Sequence, residues 1–303
     1  NNDGDLDVIV SNDWLDSILV FASIAYDGNV YPSNHTYQSY ESGLDPQEII
    51  CADFNADGNS DMVVANRGSS TVSVFTGQNT MAFDPKVDYS TPFGNPTFLA
   101  YGDINNDNAI DLVVSSYTHI SNGIAIMLND GTGFFQTSII NESFSTNFFI
   151  QDISLADFNH DNNLDIIGSV GSGVNGSFLF RFLGNGDGTF QPVETFPTPI
   201  WVNELEIKDL NKDNNLDIVF TQSGNDQIGI VLGDNWNNFN LQVSYLSMGA
   251  GPGQIELEDI NIDGEIDIIA CGDDAFYTRK GNGDGTFQNT MNYIDSYPGY
   301  YTK

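Results

Sequence analysis

Apolar residues recur along the chain in short bursts of two distinct kinds. In the pairs Ile49 and Cys51, Leu99 and Tyr101, Ile153 and Leu155, Leu205 and Ile207, and Ile255 and Leu257, two apolar positions stand two apart just ahead of an acidic segment. A period of two predicts strands with one buried face. Beyond each acidic segment runs a continuous apolar stretch (MVVAN from Met62, DLVVSS from Asp111, DIIGSV from Asp165), followed by another such as VSVFTG, IAIMLN or SFLFRFL. Runs this short, bounded by Gly, Asn and Asp, predict buried strands. With one more strand after the next turn, each unit holds four strands and no helix signal.

The acidic segments are copies of one nine-residue pattern, Asp-apolar-Asn-x-Asp-Gly/Asn-x-x-Asp. They are NNDGDLD at 1–7, DFNADGNSD at 53–61, DINNDNAID at 103–111, DFNHDNNLD at 157–165, DLNKDNNLD at 209–217 and DINIDGEID at 259–267. Their final aspartates lie 54, 50, 54, 52 and 50 residues apart, the spacing of tandem structural units. A second landmark follows each, clearest as LGNGDGTFQ from Leu183 and GNGDGTFQ from Gly281, and weaker as LNDGTGFFQ from Leu128, LGDNWNNF from Leu232, TGQNTMAF from Thr76 and YDGNVY from Tyr26. Asn-Gly and Asp-Gly between apolar runs signal hairpins, because tight turns need positive φ. Four-stranded units of this length predict an all-β fold, a β-propeller of four-stranded antiparallel blades. Six blades are expected, with seven the alternative, over about 1–45, 46–95, 96–147, 148–200, 201–250 and 251–303, in one domain that reads as a segment of a longer chain.

Within the nine residues the chemistry is position-specific. Positions five and nine are always Asp, position three is always Asn, and position six is Gly or Asn (Gly4, Gly58, Asn108, Asn162, Asn214, Gly264), residues that tolerate left-handed backbone. Position seven varies, as a ligand acting through its main-chain carbonyl would. Oxygens at one, three, five, seven and nine make a hard-cation ligand set that suits Ca²⁺ better than Mg²⁺. The bidentate acid of an EF-hand is absent, since Val64 and Val114 stand in its place. The alternative for any single copy is a solvated turn. Three carboxylates about 5 Å apart repel by roughly 3 kcal/mol per pair at an effective dielectric of about 20, so a loop without metal is expected to splay or take up protons.

Charge sharpens the picture. The 303 residues carry 42 acidic and 8 basic side chains, a formal charge of −34, and the acids are mostly Asp rather than Glu. An Asp excess points to turns and cation loops rather than acidic helices. Nucleic acid and anionic membrane surfaces are repelled, and no apolar run reaches transmembrane length. Cys51 and Cys271 sit in apolar runs and are expected to be small buried hydrophobes rather than a disulfide. The sequons at Asn34, Asn141 and Asn175 are glycosylation candidates and fit a secreted or cell-surface protein. His35, His119 and His160 are scattered and no nucleophile elbow occurs, so no catalytic residue is expected.

At its acidic loops and NGDGTF hairpins the chain resembles the FG-GAP/VCBS repeat family, which includes the calcium-binding propeller of integrin α subunits. The resemblance spans the whole chain. It implies that each loop joins the first two strands of a blade on one face, with partners commonly bound on the opposite face. Carried over, the ligands are Asn1, Asp3, Asp5 and Asp7 in the first copy, which lacks its leading Asp. The others are Asp53, Asn55, Asp57, Asn59 and Asp61; Asp103, Asn105, Asp107, Ala109 and Asp111; Asp157, Asn159, Asp161, Asn163 and Asp165; Asp209, Asn211, Asp213, Asn215 and Asp217; and Asp259, Asn261, Asp263, Glu265 and Asp267. Up to about six Ca²⁺ ions are expected. Pro298 keeps the spacing that Pro46, Pro96 and Pro252 keep from their loops, so Tyr300 to Lys303 are expected beside the start of blade one, closing a ring.

Aromatic residues at the opposite-face turns, chiefly Trp14, Tyr117, Phe148, Trp201 and Tyr300, are candidates for binding a protein or glycan, the alternative being packing between blades. The leading expectation is a non-catalytic, calcium-stabilised extracellular recognition or adhesion module. Two other readings stay open: a structural subunit of a surface filament or matrix that self-assembles, and a propeller-fold carbohydrate-active enzyme.

Overall fold

The computed structural model describes residues 7–21, 37–78, 80, 82–116, 123–140, 149–171, 176–198, 201–234, 236, 241–273 and 275–295. Six antiparallel sheets hold just over half of them. Sheet one holds β1 (Val8–Asn12), β2 (Ser17–Phe21) and β3 (Tyr37–Glu41). Sheet two holds β4 (Pro46–Ala52), β5 (Asp61–Asn66), β6 (Thr71–Phe75) and β7 (Val87–Ser90). Sheet three holds β8 (Pro96–Gly102), β9 (Asp111–Ser116), β10 (Ile124–Asn129) and β11 (Phe135–Ile140). Sheet four holds β12 (Phe149–Ala156), β13 (Asp165–Gly171), β14 (Ser177–Phe182) and β15 (Glu194–Thr198). Sheet five holds β16 (Leu205–Lys208), β17 (Asp217–Gln222), β18 (Gln227–Val231) and β19 (Val243–Ser247). Sheet six holds β20 (Ile255–Glu258), β21 (Asp267–Cys271), β22 (Ala275–Gly281) and β23 (Phe287–Asp295).

Strands follow chain order within every sheet, as in the blades of a β-propeller. Contacts divide the chain into two compact units, Asn1–Thr146 with Gly184–Phe190, and Asn147–Leu183 with Gln191–Lys303. Sheet one shows three strands among the described residues, against the four expected. The proposed ring closure through Tyr300 to Lys303 lies outside them.

The two kinds of apolar burst become two kinds of strand. The continuous runs are second and third strands covered on both faces: every residue of β5, β9, β13 and β17 is buried. The alternating runs are the first strands, at the sheet edge. That position corrects the expectation for the cysteines. Both are free thiols as expected, but Cys51, on the edge strand β4, is exposed and Cys271 is only partly buried.

Successive sheets are joined by a residue the repeat hides. In three of the five described loops the second position leaves its own sheet and enters the core of the next. Phe54 lies in one cluster with Leu99, Val114, Met127 and Phe135. Phe158 lies with Leu205, Phe220, Val231 and Trp236, and Leu210 with Ile255, Leu257, Ile268 and Tyr277. Phe54 meets Phe135 edge-on at 5.8 Å between centroids, and Phe158 meets Trp236 in the same way at 5.3 Å.

A bulge in the first strand makes a second connection. In β4 the register shifts between Pro46 and Ile49, which aims Glu48 at the next sheet, where its Oε2 accepts the Leu99 N–H at 2.6 Å. A bulge in β12 lets Asp152 accept the Leu205 N–H at 2.8 Å in the same way. Burial raises the Glu48 carboxyl to about 7, with the Leu99 N–H opposing it. An acid with a raised folded value holds its proton in the fold and costs stability as pH climbs from the unfolded value toward the folded one, here about 4.5 to 7. That window spans about 3 kcal/mol. Glu48→Gln keeps an acceptor for Leu99 and removes the titration, so its Tm is expected to match wild type at pH 4.5 and exceed it at pH 8. Parallel Tm curves across that range would show Glu48 to be solvated.

Candidate metal centre

Each of the five described acidic segments joins the first and second strands of its sheet, and these loops share one internal hydrogen-bond pattern. The first Asp accepts two backbone N–H groups, from positions five and six: Asp57 and Gly58 onto Asp53 at 3.1 and 2.8 Å, Asp107 and Asn108 onto Asp103 at 3.0 and 2.9 Å. Asp157, Asp209 and Asp259 do the same. The Asp at position five accepts the N–H of position seven, from Asn59, Ala109, Asn163, Asn215 and Glu265. In four loops the Asn at position three accepts the N–H of position five and donates its amide to that residue's carboxylate. The sixth loop differs, its Asn261 amide reaching Asp267 instead at 2.8 Å.

This folding demands backbone that L-residues resist. Position six is left-handed, as its Gly or Asn predicts. Position four is left-handed too, although its residue type is not kept: Ala56 has φ 57°, Asn106 59°, His160 60°, Lys212 60° and Ile262 60°. For β-branched Ile262 this is a marked outlier, and such strain costs about 1–3 kcal/mol unless the surroundings impose it.

The ninth position has a role the repeat alone did not reveal. Asp61, Asp111, Asp165, Asp217 and Asp267 are all fully buried. Asp61 Oδ2 accepts the N–H of Phe54 at 2.9 Å and Oδ1 that of Gly77 at 2.7 Å. Asp111 takes Ile104 and Asn129 in the same way, and Asp217 takes Leu210 and Gly233. One carboxylate thus ties the wedge residue, the loop and the end of the third strand together. Burial pushes the carboxyls of Asp61 and Asp111 up and that of Asp217 to about 6; the backbone N–H groups oppose the rise, and the loop's other two aspartates add to it. Asp57, by contrast, is held down by the N–H of Asn59.

The second landmark proves to be a brace. Asp130, Asp187 and Asp284 each accept both the N–H and the hydroxyl of the Thr two residues on, which lowers all three carboxyls. The turn from Asp130 to Phe134 comes up beside the loop of the preceding sheet: a Cβ on Gly133 would stand 3.6 Å from that of Asn55, and the glycine's φ is +81°. Asn129 completes the link, its amide donating to the Phe54 carbonyl at 2.6 Å.

Among the described residues, no three His, Cys, Asp or Glu side chains converge as a ready-made metal cluster. The loop carboxylates instead face backbone N–H groups. Each carboxylate oxygen has a second lone pair, however, and the amide and carbonyl oxygens at positions three and seven complete a hard-oxygen donor set. The chemistry of the residues and the path of the backbone both fit a Ca²⁺ ion. In the first copy only Asp7 is described; Asn1, Asp3 and Asp5 lie outside, as do the sequons at Asn34, Asn141 and Asn175.

Of the candidate partner-binding aromatics, Trp14 is exposed at 91% and Trp201 partly so, whereas Tyr117, Phe148 and Tyr300 lie outside the described residues. Other aromatics of that set pack inward: Tyr40 stands edge-on to Phe75 and Phe83, and Phe149 is buried. On the first strands of sheets five and six, Lys208 forms an ion pair with Glu258 at 3.0 Å and donates to the Leu257 carbonyl at 2.9 Å.

The profile of the FG-GAP-like repeat matches twice, over residues 53–114 and 103–168, each time beginning on the first Asp of a loop. Residues 53–168 are FG-GAP-like repeats. The loops at 209 and 259 continue the main hydrogen-bond pattern of these FG-GAP-like repeats. No curated protein sequence matches the chain. Among solved structures, an Agrocybe aegerita lectin studied for recognition of non-reducing terminal N-acetylglucosamine is 18% identical, with 96% of this chain and 80% of that chain covered at a TM-score of 0.60. A Bacteroides uniformis protein described as a candidate 6-phosphogluconolactonase is 11% identical over 95% and 84%, at 0.61. A Lactobacillus plantarum protein is 14% identical over 85% and 69%, at 0.52. Likeness at this identity establishes the fold alone: all-β, of the β-propeller class, with six blades.

Proposed function

We propose that this chain is a calcium-stabilised, non-catalytic extracellular recognition module, a single propeller that meets a protein or glycan partner on the face opposite its loops. The observation that carries the calcium reading is the conformation repeated in five loops, each holding a non-glycine residue left-handed at position four. Strain kept in every copy implies a common ligand that repays it. An ion in a loop would supply charge neutralisation among the aspartates. The residues around it would hold the wedge side chain in the neighbouring sheet. The Asp-rich composition and the three sequons support an extracellular setting, where calcium is abundant.

Trp14 supports the recognition reading. It stands at the β1–β2 turn with Leu15 exposed beside it at 71%, an apolar pair that could anchor a partner or stack on a sugar ring. Terbium luminescence and calorimetric calcium titration test the first part, with multi-site binding in the range of about 0.1 mM expected. A glycan and protein array probed with wild type and Trp14→Ala tests the second. Ligands retained equally by both proteins would remove Trp14 from the recognition surface.

A further inference from the structure

Side chains cross from one acidic loop to the next. In the loop between β12 and β13, His160 places its Nε2 3.3 Å from the Oδ1 of Asn215, which belongs to the loop between β16 and β17. In that second loop Lys212 places its Nζ 2.8 Å from the Oε1 of Glu265, which belongs to the loop between β20 and β21. Both contacts follow one rule: position four of a loop reaches position seven of the loop after it. Asn106, also at position four, reaches forward as well, its amide donating at 3.3 Å to the Gly186 carbonyl in the turn after β14.

Both ends of these contacts bear on the oxygen set. Position four is the left-handed residue, with His160 and Lys212 each at φ 60°, and it stands between the ligand candidates at three and five. A loop that splays frees this residue to return to right-handed backbone, which swings its side chain away from the neighbouring loop. Position seven is the residue whose carbonyl completes the donor set. Its N–H is held from within its own loop, Asn215 donating to Asp213 at 2.7 Å and Glu265 to Asp263 at 2.9 Å. The side chain from the preceding loop is a second hold on the same residue. For Glu265 this hold matters most. Its Oε2 is buried with no hydrogen-bond partner among the described residues, and a Cβ on Gly283 would collide with it, so Lys212 is the counter-charge of a partly buried carboxylate.

We propose that His160 and Lys212 are positioning residues that couple the loops of sheets four, five and six, so that calcium filling one loop tightens its neighbour. Such coupling presupposes the calcium reading of the loops. A filled loop keeps its position four left-handed and the side chain aimed; the aimed side chain keeps position seven of the next loop in place for its own ion. Ala56 has no polar side chain to offer, so the loop of sheet two takes no part through this contact.

The test is calcium titration followed by ¹H–¹⁵N NMR. The position-six amides of Asn162, Asn214 and Gly264, each donating to the first Asp of its loop, report the three loops separately. Asp209→Asn weakens the loop of sheet five while keeping an acceptor for its N–H groups, and is expected to raise the calcium midpoint of Gly264 about five-fold, the most that an ion pair of this exposure supplies. In a Lys212→Met background the same substitution should move Gly264 less than about two-fold, because the link is gone. Comparing each shift within one background cancels the change in field that loss of the lysine charge brings. Coupling is reciprocal, so Asp259→Asn should raise the Asn214 midpoint by the same factor. Equal shifts of Gly264 in the two backgrounds, or none in either, would overturn the coupling and leave the calcium reading intact. Loop amides that ignore calcium altogether would overturn both.

Discussion

Stripping divalent ions with EGTA is expected to lower the Tm by about 20 °C, and added calcium to restore it. Extracellular calcium modules bind with dissociation constants of about 0.1 mM at the tighter end, so about 1 mM ion stabilises each filled site by roughly 1.4 kcal/mol. Six independent sites amount to roughly 8 kcal/mol, comparable with the whole stability of many domains. The geometry gives the ion leverage beyond its own loop. The final Asp holds the N–H of the wedge residue, and the wedge fills the core of the next sheet. A loop that splays therefore withdraws support from an inter-sheet contact. Calorimetric scans with and without chelator measure this directly, and coincident melts would contradict the calcium reading.

The second large effect is expected from Phe158→Ala. Phe158 is fully buried in the sheet-five core against Trp236, and its replacement should cost about 3–5 kcal/mol. Because the residue belongs to the loop of sheet four, the loss should appear in denaturant midpoints both with and without calcium. Alanine keeps the N–H that donates to Asp165 at 3.2 Å, so terbium affinity at that one loop should weaken only as far as the loss of the ring loosens the loop. A cost below about 1 kcal/mol would mean that sheets four and five hold together without the wedge. The substitution separates two roles of the motif, carboxylates that face the ion and a hydrophobe that faces the neighbour.

Much of this was legible in the chain itself. Alternation ahead of each loop, buried runs after it and Gly or Asn at the bend are local properties, set by backbone sterics and side-chain period, so strands, turns and repeat length could be read from the pattern. The Asp-Thr pair of each NGDGT turn closes within three residues and was equally readable as a hairpin. The oxygen set of the loops was visible because ligand chemistry depends on residue type and spacing.

What stayed hidden depends on neighbours far away in sequence. Position four is Ala, Asn, His, Lys or Ile, a mixture that as a set advertises no left-handed backbone; the conformation is imposed by the hydrogen bonds around it. The apolar second position looks like any core residue until the next sheet is present to receive it. Glu48 looks like a surface acid on a strand until a bulge aims it at Leu99, 51 residues on. Sequence alone determined the repeated strands, the turns and the acidic loops, because each is decided within a few residues. Tertiary structure alone decided which loop side chains cross to the next sheet and which carboxylates lose their water, because burial is a property of the assembled surface and not of any one segment.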